Sequence, residues 1–292
     1  MTSHVGSSEG YLRESWDEFA RSSQIRRMTE TNPPTDFPGW SAVFGRCAGE
    51  FAVLLLLDFD GTLSDIVQDP AMAVLRKGNT RTLNMLSSKP GYAVGIVSGR
   101  SLEDLMERVA LPNLIYAGNH GMEIQAPGLR FVHPDVATYI PGLAEIASRL
   151  RLALAEIPGA NVEDKTLTLT VHFRQTPAQY HEKIHALVGA IVQQPPMFGR
   201  YRITHAKAAI EVRPAVDWHK GRALELIRSR LHPHAFPIYI GDDRTDEDAF
   251  KAAQDAGGCG IFVGPAGNTT CANFRLDSPA AVSAALADLV SR

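Results

Sequence analysis

Four short polar clusters in this sequence contain residue types that bind phosphate or a metal ion. Each cluster directly follows an apolar run, so all four lie where predicted strands end. They are Asp58-Phe-Asp-Gly-Thr62, Ser98-Gly-Arg100, Gly118-Asn-His-Gly121 and Gly241-Asp-Asp-Arg-Thr-Asp246. Ligands of an open parallel sheet bind beyond the carboxyl ends of its strands. We therefore expect the four clusters to form one site.

The paired aspartates of the first cluster favour a divalent metal ion. Asp58 and Asp60 are two residues apart, so at an extended strand end their side chains point to the same side. Neighbouring carboxylates repel each other unless a cation or a proton lies between them. Mg²⁺, a hard cation with oxygen ligands, meets this requirement, and Asp242 would complete the ligand set. Asp243 and Asp246 are second choices for the metal.

Each of these acidic residues also has a simpler structural interpretation. An isolated Asp-Gly-Thr is typical of an ordinary turn. Thr245 and Asp248 together would make a capping box, and acidic residues are common in the first turn of a helix. The apolar strand before Asp58 and the matching Gly-Asp-Asp at 241–243 favour the metal site over a turn.

Ser98 and Lys220 are candidates for holding a phosphoryl group. Ser98 can donate a hydrogen bond to a phosphate oxygen, and the amides of Gly99 and Arg100, which precede a predicted helix, add further donors. Lys220 falls in the first turn of another predicted helix, for which Asp217 is the expected cap. A cation there opposes the helix dipole, which a bound phosphoryl group and a nucleophilic carboxylate would offset. A loop serine and a surface lysine are the alternatives.

Apolar runs and helical stretches alternate along most of the chain and predict the elements that would position these clusters. The run at 51–57 is continuously apolar, as in a parallel strand buried on both faces. Further strands are predicted at 92–97, 114–117, 236–240 and 260–263, with helices at about 76–88, from 101 and from about 218. This alternation favours an α/β fold with a doubly wound, Rossmann-like parallel sheet.

The middle of the chain has a different pattern and predicts an inserted α+β module. Two helices and two alternating strands are predicted there, at 141–157, 177–193, 166–173 and 208–213. Strands that alternate apolar and polar residues are typical of an antiparallel sheet with one exposed face. The predicted domains are therefore a core of 49–130 and 214–292, an insert of 131–213 and an N-terminal extension of 1–48.

The extension is predicted to be helical and then a linker. Leu12, Trp16 and Phe19 fall at helical spacing, and Pro33-Pro34 breaks the pattern. Packing of this apolar stripe on its own domain is favoured over docking on a partner subunit.

Composition excludes two classes of partner. The formal net charge is −3, with 45% hydrophobic and 21% charged residues. No basic patch indicates nucleic-acid or membrane-surface binding. The first apolar run, at 51–57, is too short to span a bilayer and too far along the chain for a signal peptide. A cytoplasmic protein without nucleic-acid or membrane partners is expected.

The four clusters, in order, resemble the signature motifs of the haloacid dehalogenase (HAD) superfamily of phosphotransferases. The matching segments are DFDGTL, VSGR, the lysine of HKGRAL, and GDDRTDEDAF. Within it, the sequence resembles the trehalose-6-phosphate phosphatases, through LLLLDFDGTLSDIVQDP, GNHGMEI, VEDKTLTLTVHFR and EVRP. The likeness covers roughly residues 50 to 290.

This resemblance implies a catalytic role for each core residue. Asp58 would attack phosphorus and form an aspartyl-phosphate. Asp60 would protonate the leaving sugar oxygen and then activate the hydrolytic water. Mg²⁺ would be held by Asp58, the backbone carbonyl of Asp60, and Asp242, while Ser98 and Lys220 would hold the phosphoryl oxygens.

The resemblance also makes the insert a cap that recognises the sugar. Glu163, Lys165 and Glu211 would bind glucose hydroxyls, although strand-end charges are often merely solvated. Arg100, Asn119 and His120 would be further substrate contacts from the core. The family usually has glycine before the lysine that leads into Glu-Val-Arg-Pro, whereas this chain has Ala206-Lys207, so a contact from Lys207 stays open.

The implied activity is Mg²⁺-dependent hydrolysis of trehalose 6-phosphate, the last step of trehalose biosynthesis. A phosphatase or mutase for another phosphorylated sugar, such as sucrose 6-phosphate or mannosyl-3-phosphoglycerate, is the first alternative. A catalytically silent sugar-phosphate sensor is the second, and the presence of all expected catalytic residues argues against it. The implied partner is a small sugar phosphate, with room for a separate trehalose-6-phosphate synthase. The sequence leaves the oligomeric state open.

Overall fold

The computed structural model describes residues 33–45, 52–206 and 208–292, which belong to one compact unit, Pro33–Arg292. The helix predicted around Leu12, Trp16 and Phe19 lies outside the described residues, as does Lys207. No helix in the described part of the chain is long and apolar enough to cross a membrane.

A nine-stranded sheet forms the centre of the molecule. Its strands are β1 Thr35–Asp36, β2 Val53–Leu57, β3 Tyr92–Val97, β4 Ile115–Gly118, β5 Glu123–Ala126, β6 Leu129–Val132, β11 Phe236–Gly241, β12 Cys259–Val263 and β13 Phe274–Leu276. The spatial order is β1-β13-β12-β11-β2-β3-β4-β5-β6. All pairs from β1 through β4 are parallel, and the β5–β6 hairpin joins antiparallel. The predicted α/β fold with a parallel sheet is confirmed.

Helices cover both faces of this sheet because its central strand is apolar on both sides. Leu55 and Leu57 of β2 face one buried cluster, and Leu54 and Leu56 face the other. The helices on the first side are α1 Trp40–Phe44, α2 Asn79–Ser87, α3 Leu102–Val109 and α8 Pro279–Val290, and those on the second side are α6 Lys220–Leu231 and α7 Glu247–Asp255. β2 is therefore the central strand of the sheet, and its carboxyl end lies in the row of strand ends.

A second, four-stranded antiparallel sheet forms the inserted module. Its strands are β7 Asn161–Asp164, β8 Leu169–His172, β9 Tyr201–Ala206 and β10 Ala209–Pro214, in the order β7-β8-β10-β9. Helices α4 Ile140–Leu154 and α5 His181–Val192 pack on one face, against Leu169 and Val171 among others. The other face carries polar residues. The predicted α+β module is therefore present, and its boundaries at 131 and 213 stay a prediction.

Residues 35–44 correct the predicted extent of the N-terminal extension. β1 pairs with β13, and Trp40 of α1 is fully buried, donating through Nε1 to the carbonyl of Ala285 (2.6 Å). The short segment after Pro33-Pro34 is thus part of the core. The strand has only 2 residues and the helix only 5, which is too short for a local pattern to predict either element.

Two predicted helix caps are wrong. His219, not Asp217, is the cap residue of α6, and its Nδ1 accepts from the amide of Arg222 (3.4 Å). A short 3₁₀ turn at Arg244–Asp246 directly precedes α7, so the helical segment begins earlier than predicted. Asp243 therefore caps that turn, and the predicted pair of Thr245 and Asp248 does not form the capping box.

Candidate active site

The four polar clusters meet at the carboxyl ends of β2, β3, β4 and β11, as predicted. The amide of Asp58 donates to the carbonyl of Ile240 (2.8 Å), and that of Ser98 donates to Ala117 (2.9 Å). These bonds continue the parallel ladders by one residue beyond the strands. The predicted grouping of the core residues follows directly from the parallel direction of these four strands.

A buried ion cluster lies at the centre of this edge. Lys220, the first residue of α6 and only 2% exposed, donates through Nζ to Asp58 Oδ1 and to Asp246 Oδ1, both at 2.7 Å. Burial alone would lower the pKa of Lys220, but Asp246 and Asp58 raise it well above its usual value. Lys220 is therefore charged and holds Asp58 in place. The other oxygen of Asp58 makes no hydrogen bond with the described residues.

Asp246 stabilises this cluster from below. It is fully buried, and Oδ1 also accepts from the hydroxyl of Tyr239 (2.8 Å). Its Oδ2 accepts from the amides of Asp242 and Asp243, both at 3.0 Å. With both oxygens engaged by four donors, Asp246 is better suited to holding Lys220 and the loop than to binding a metal ion. Tyr239 was missed by sequence reasoning, since a tyrosine in an apolar strand has no local signal of this role.

The carboxylates at this edge fit a divalent cation. Oxygen atoms of Asp58, Asp242 and Asp246 lie within 4.8 Å of one another. Burial, followed by the charges of Asp246 and Asp243, raises the pKa of Asp242 to about 8. Burial also raises the pKa of Asp58 well above its usual value, although Lys220 opposes the shift. The raised pKa values mean that the ionised forms of these carboxylates are disfavoured. A hard cation such as Mg²⁺ would stabilise the ionised forms, because it prefers oxygen ligands and offsets their repulsion.

Gly61 allows the approach of the two acidic loops. Its φ of +80° is in the left-handed region, and a Cβ there would lie 2.2 Å from Oδ2 of Asp242. A larger residue would therefore displace the Asp242 carboxylate from the cluster. The glycine after Asp60 is required for both reasons.

Asp60 is bound by Arg100 rather than by Lys220. The guanidinium donates to both Asp60 oxygens, through Nε and Nη2 at 2.7 Å each, and through Nη1 to Asp104 (2.8 Å). Arg108 in turn donates to Asp104, and Nη2 of Arg100 donates to the carbonyl of Pro70 (2.8 Å). Arg100, predicted to contact substrate, thus uses its donors on protein groups. Asp104 and Arg108 were not predicted, although their i, i+4 spacing in α3 is a local signal.

Ser98 is buried next to the backbone of Arg100. Its hydroxyl oxygen accepts from the amide of Arg100 (3.2 Å), and its carbonyl accepts from the amide of His120 (2.8 Å). The side chain therefore lies inside the loop that joins β3 to α3, at the same strand-end edge as Asp58.

The inserted module contacts the core directly above the strand ends. His120 Nε2 lies 2.9 Å from both carboxylate oxygens of Glu211, and Lys165 Nζ donates to the carbonyl of Gly99 (3.0 Å). Arg174 donates to the carbonyl of Val67 (3.1 Å). The polar face of the second sheet therefore covers the acidic edge of the first.

Asn119 joins the two sheets rather than facing open space. It is fully buried, and its Oδ1 accepts from the hydroxyl of Thr168 (2.9 Å). Its Nδ2 donates to Glu123 (2.9 Å) and to the carbonyl of Lys165 (3.4 Å). These bonds use both ends of the side-chain amide, so its geometry suits a positioning role.

Glu163 and Lys165 lie together on the module, as predicted. Their charged atoms are 3.9 Å apart, and His172 Nε2 lies 2.7 Å from Glu163 Oε2. Burial alone would raise the pKa of Glu163, but the hydrogen bond of His172 and the charge of Lys165 lower it. Glu163 is therefore an ionised acceptor. His172 was not predicted, because its side of the alternating strand was taken to be solvated.

Ionised Glu211 should make the unfolding free energy depend on pH in the acid range. Burial alone would raise its pKa, but His120, with Lys165 and Arg213 nearby, lowers it from 4.5 to about 2. A depressed carboxyl pKa adds stability above the unfolded value, and this is lost as the pH falls toward the folded value. We expect Glu211→Gln to abolish a loss of about 2 kcal/mol between pH 7 and pH 3. Urea unfolding at several pH values measures it.

The matched control for this prediction is Glu156→Gln, on an exposed residue of the same module. That variant should keep the wild-type decline of unfolding free energy with falling pH. An equal decline in wild type and Glu211→Gln would contradict the assigned role of the pair with His120.

Comparison with known proteins identifies the family. The trehalose-phosphatase family model matches residues 56–280. The chain is 32% identical to trehalose 6-phosphate phosphatase RA3 of Zea mays over 302 residues, covering 95% of this chain and 82% of that protein. It is 38% identical to the trehalose-phosphate phosphatase of Mycobacterium tuberculosis over 247 residues, covering 78% of this chain. The match spans 59% of the mycobacterial protein's length.

Solved structures give the same result for the fold. The C-terminal domain of C. albicans trehalose-6-phosphate phosphatase has a TM-score of 0.76 at 26% identity, covering 89% of this chain and 99% of that chain. A haloacid dehalogenase-like hydrolase from Bacteroides thetaiotaomicron has a TM-score of 0.59 at 15% identity, covering 82% of this chain and 100% of that chain, which shows the fold alone. The haloacid dehalogenase-like core with a cap is thus confirmed, and the chain belongs to the trehalose-phosphatase family.

Proposed function

We propose that this chain hydrolyses trehalose 6-phosphate to trehalose and phosphate. The buried group of Asp58, Lys220 and Asp246 beneath the polar face of the inserted module is the observation that supports this function most strongly. In this group, Lys220 fixes the proposed nucleophile, Asp58, beneath a face of the module that is rich in hydrogen-bonding groups. The relatives named above are trehalose-phosphate phosphatases.

In the proposed first step, Asp58 attacks phosphorus through the oxygen that Lys220 does not hold. Lys220 Nζ fixes the carboxylate at 2.7 Å and brings positive charge to the point where the phosphoryl group gains negative charge. An aspartyl-phosphate forms as the bond from phosphorus to the sugar oxygen breaks. Ser98, at the end of β3, is the proposed donor to a phosphoryl oxygen.

Asp60 is the proposed proton carrier for both steps. Arg100 holds its two oxygens, and its side chain is 44% exposed, so it can reach a bound ligand. To act as the acid, Asp60 must release one of its bonds with Arg100, take up a proton from solvent on that oxygen and donate this proton to the leaving oxygen. The resulting carboxylate then takes a proton from the water that hydrolyses the aspartyl-phosphate.

Asp58, Asp242 and the carbonyl of Asp60 are the proposed Mg²⁺ ligands. The cation would neutralise the acidic edge and the phosphoryl oxygens when bound. Asp242 has the raised pKa expected of such a ligand and is half-buried. Asp243 and Asp246 remain second choices, and the hydrogen bonds of Asp246 argue for its supporting role.

The inserted module, residues 131–213, is the proposed cap that selects the sugar. Ionised Glu163 and Glu211 accept hydrogen bonds and Lys165 donates them, which suits a ligand with several hydroxyls. His120 and Lys165 already join cap and core across the cleft. A disaccharide phosphate would then contact both.

The test is phosphate release with Mg²⁺ from trehalose 6-phosphate, glucose 6-phosphate, sucrose 6-phosphate, mannosyl-3-phosphoglycerate and p-nitrophenyl phosphate. We expect kcat/KM for trehalose 6-phosphate to exceed that for glucose 6-phosphate by at least about 100-fold, because unmatched cap groups penalise a shorter ligand. EDTA should abolish turnover, and added Mg²⁺ should restore it.

Two other outcomes lead to the alternatives. Preference for another phosphorylated sugar, or release from p-nitrophenyl phosphate alone, would keep the chemistry and reject the substrate. No release from any compound would favour the silent sugar-phosphate sensor.

Two finer points belong to the same proposal. The chain would act in the cytoplasm, and a separate trehalose-6-phosphate synthase would supply its substrate. Cell fractionation and co-purification from the native source test them.

A further inference from the structure

Thr170 is the central residue on the core-facing side of the cap sheet. The strand register places Glu163 and Glu211 on either side of Thr170, with Thr204 next to Glu211. Residues opposite each other on neighbouring antiparallel strands project from the same face. Thr170 is therefore the central member of a row whose flanking members are carboxylates.

Contacts on both sides of Thr170 show that this face is turned toward the core. Thr168, which directly precedes β8 and is two residues before Thr170, donates to Asn119 (2.9 Å). Glu211, its neighbour on β10, contacts His120 at 2.9 Å. Side chains of the opposite face, such as Leu169 and Val171, pack against the cap helices instead. The Thr170 hydroxyl thus belongs to the side that covers the catalytic edge.

The Thr170 hydroxyl has an unusual environment. The residue is only 6% exposed, and its Oγ1 has no hydrogen-bond partner among the described residues. Buried side-chain polar atoms generally have a partner, so a lone hydroxyl between two carboxylates requires an explanation. Packing alone does not supply one, because valine has the same shape and suits a strand equally well.

We propose that Thr170 binds a hydroxyl of the sugar between Glu163 and Glu211 and helps to determine substrate specificity. This inference rests on the proposed sugar-phosphatase function. The ionised carboxylates can only accept hydrogen bonds and Lys165 can only donate, whereas a threonine hydroxyl does both. A sugar hydroxyl that donates to one carboxylate can accept from Thr170. The three side chains then fix the direction of neighbouring hydroxyls on one ring.

The test is Thr170→Val, which removes the hydroxyl and keeps the shape. We expect KM for trehalose 6-phosphate to rise about tenfold, equivalent to about 1.4 kcal/mol. Turnover of p-nitrophenyl phosphate, which has no sugar, should be unchanged. Thr170→Ser, which retains the hydroxyl, should keep KM within about twofold of wild type. The melting temperature of Thr170→Val should not fall, because no protein hydrogen bond is lost.

Thr176→Val is the matched control. Thr176 is also a buried cap threonine whose Oγ1 has no partner in the described ranges, but it follows β8 and is outside the row. It should leave KM unchanged.

The outcomes separate this inference from the function on which it rests. Wild-type preference for trehalose 6-phosphate together with an unchanged KM in Thr170→Val would overturn the role of Thr170 alone. A lower melting temperature with unchanged KM would assign the hydroxyl to structure instead. Wild type without preference for any sugar phosphate over p-nitrophenyl phosphate would overturn both proposals.

Discussion

Replacing Asp58 by asparagine should reduce turnover by at least about 10⁴-fold while leaving the fold intact. Asparagine has nearly the same shape and can still accept the hydrogen bond from Lys220, but its amide oxygen cannot form the phosphoryl-enzyme. Burial already raises the pKa of Asp58, so the neutral replacement removes a charge that its surroundings disfavour. We therefore expect no loss of unfolding free energy.

Phosphate release from both trehalose 6-phosphate and p-nitrophenyl phosphate, with circular dichroism and urea unfolding, measures these effects. Asp65→Asn is the matched control, since Asp65 lies in the following loop, is 59% exposed and pairs with Arg76. It should keep turnover within about twofold of wild type. Retained turnover in Asp58→Asn with either substrate would reject Asp58 as the nucleophile.

The position of the catalytic edge could be predicted because it depends on local patterns. An apolar run followed by Asp58-Phe-Asp60 gives a buried strand and a polar end, and the same pattern recurs before Ser98 and Asp242. Parallel strands bring such ends to one edge whatever their exact order. The alternation around Thr170 likewise predicts a strand with one polar face.

The partners of these residues could not be predicted, because they depend on distant parts of the chain. Lys220 meets Asp58 across 162 positions, and Glu211 meets His120 across 91. The sequence suggests for Asp246 a metal ligand or an acidic residue in a first helical turn, and only the fold shows that Lys220 and Tyr239 converge on it. No spacing rule connects these positions.

Helix starts failed for a more local reason. Asp217 and His219 both have side chains that can accept a hydrogen bond from a helix amide. A shift of two residues in the helix start would change which of them is the cap. The backbone of His219 is extended, at φ −159° and ψ 172°, so the helix begins at Lys220. Tertiary packing of Lys220 into the acidic cluster fixes this start, and local propensity does not encode it.

Replacing Lys220 by methionine should reduce both stability and activity. The change leaves Asp58 and Asp246 buried without their shared cation, and removing one member of a buried ion pair costs about 3–5 kcal/mol. The melting temperature should fall by on the order of 10 °C. Turnover should fall by at least about 100-fold, since the charge that faces the phosphoryl group is lost.

The pH dependence of this loss has a defined sign. Burial raises the pKa of Asp246, and Lys220 is the main group that opposes the rise. Without Lys220 the folded pKa lies still further above its unfolded value. A raised carboxyl pKa lowers the unfolding free energy progressively as the pH rises from the unfolded pKa toward the folded pKa. Lys220→Met should therefore be more destabilised at pH 8 than at pH 5, which thermal unfolding at the two pH values measures.

A double-mutant cycle with Asp246→Asn tests whether the two groups act as one unit. If Lys220 stabilises the fold by neutralising Asp246, then Lys220→Met should cost less in the Asp246→Asn background than in wild type. Lys183→Met, on the exposed face of α5, is the control for loss of a lysine charge and should leave the melting temperature within about 2 °C of wild type. Additive losses from the two substitutions would mean that Lys220 and Asp246 stabilise the fold separately. An unchanged melting temperature in Lys220→Met would reject the ion cluster as the feature that fixes the nucleophile.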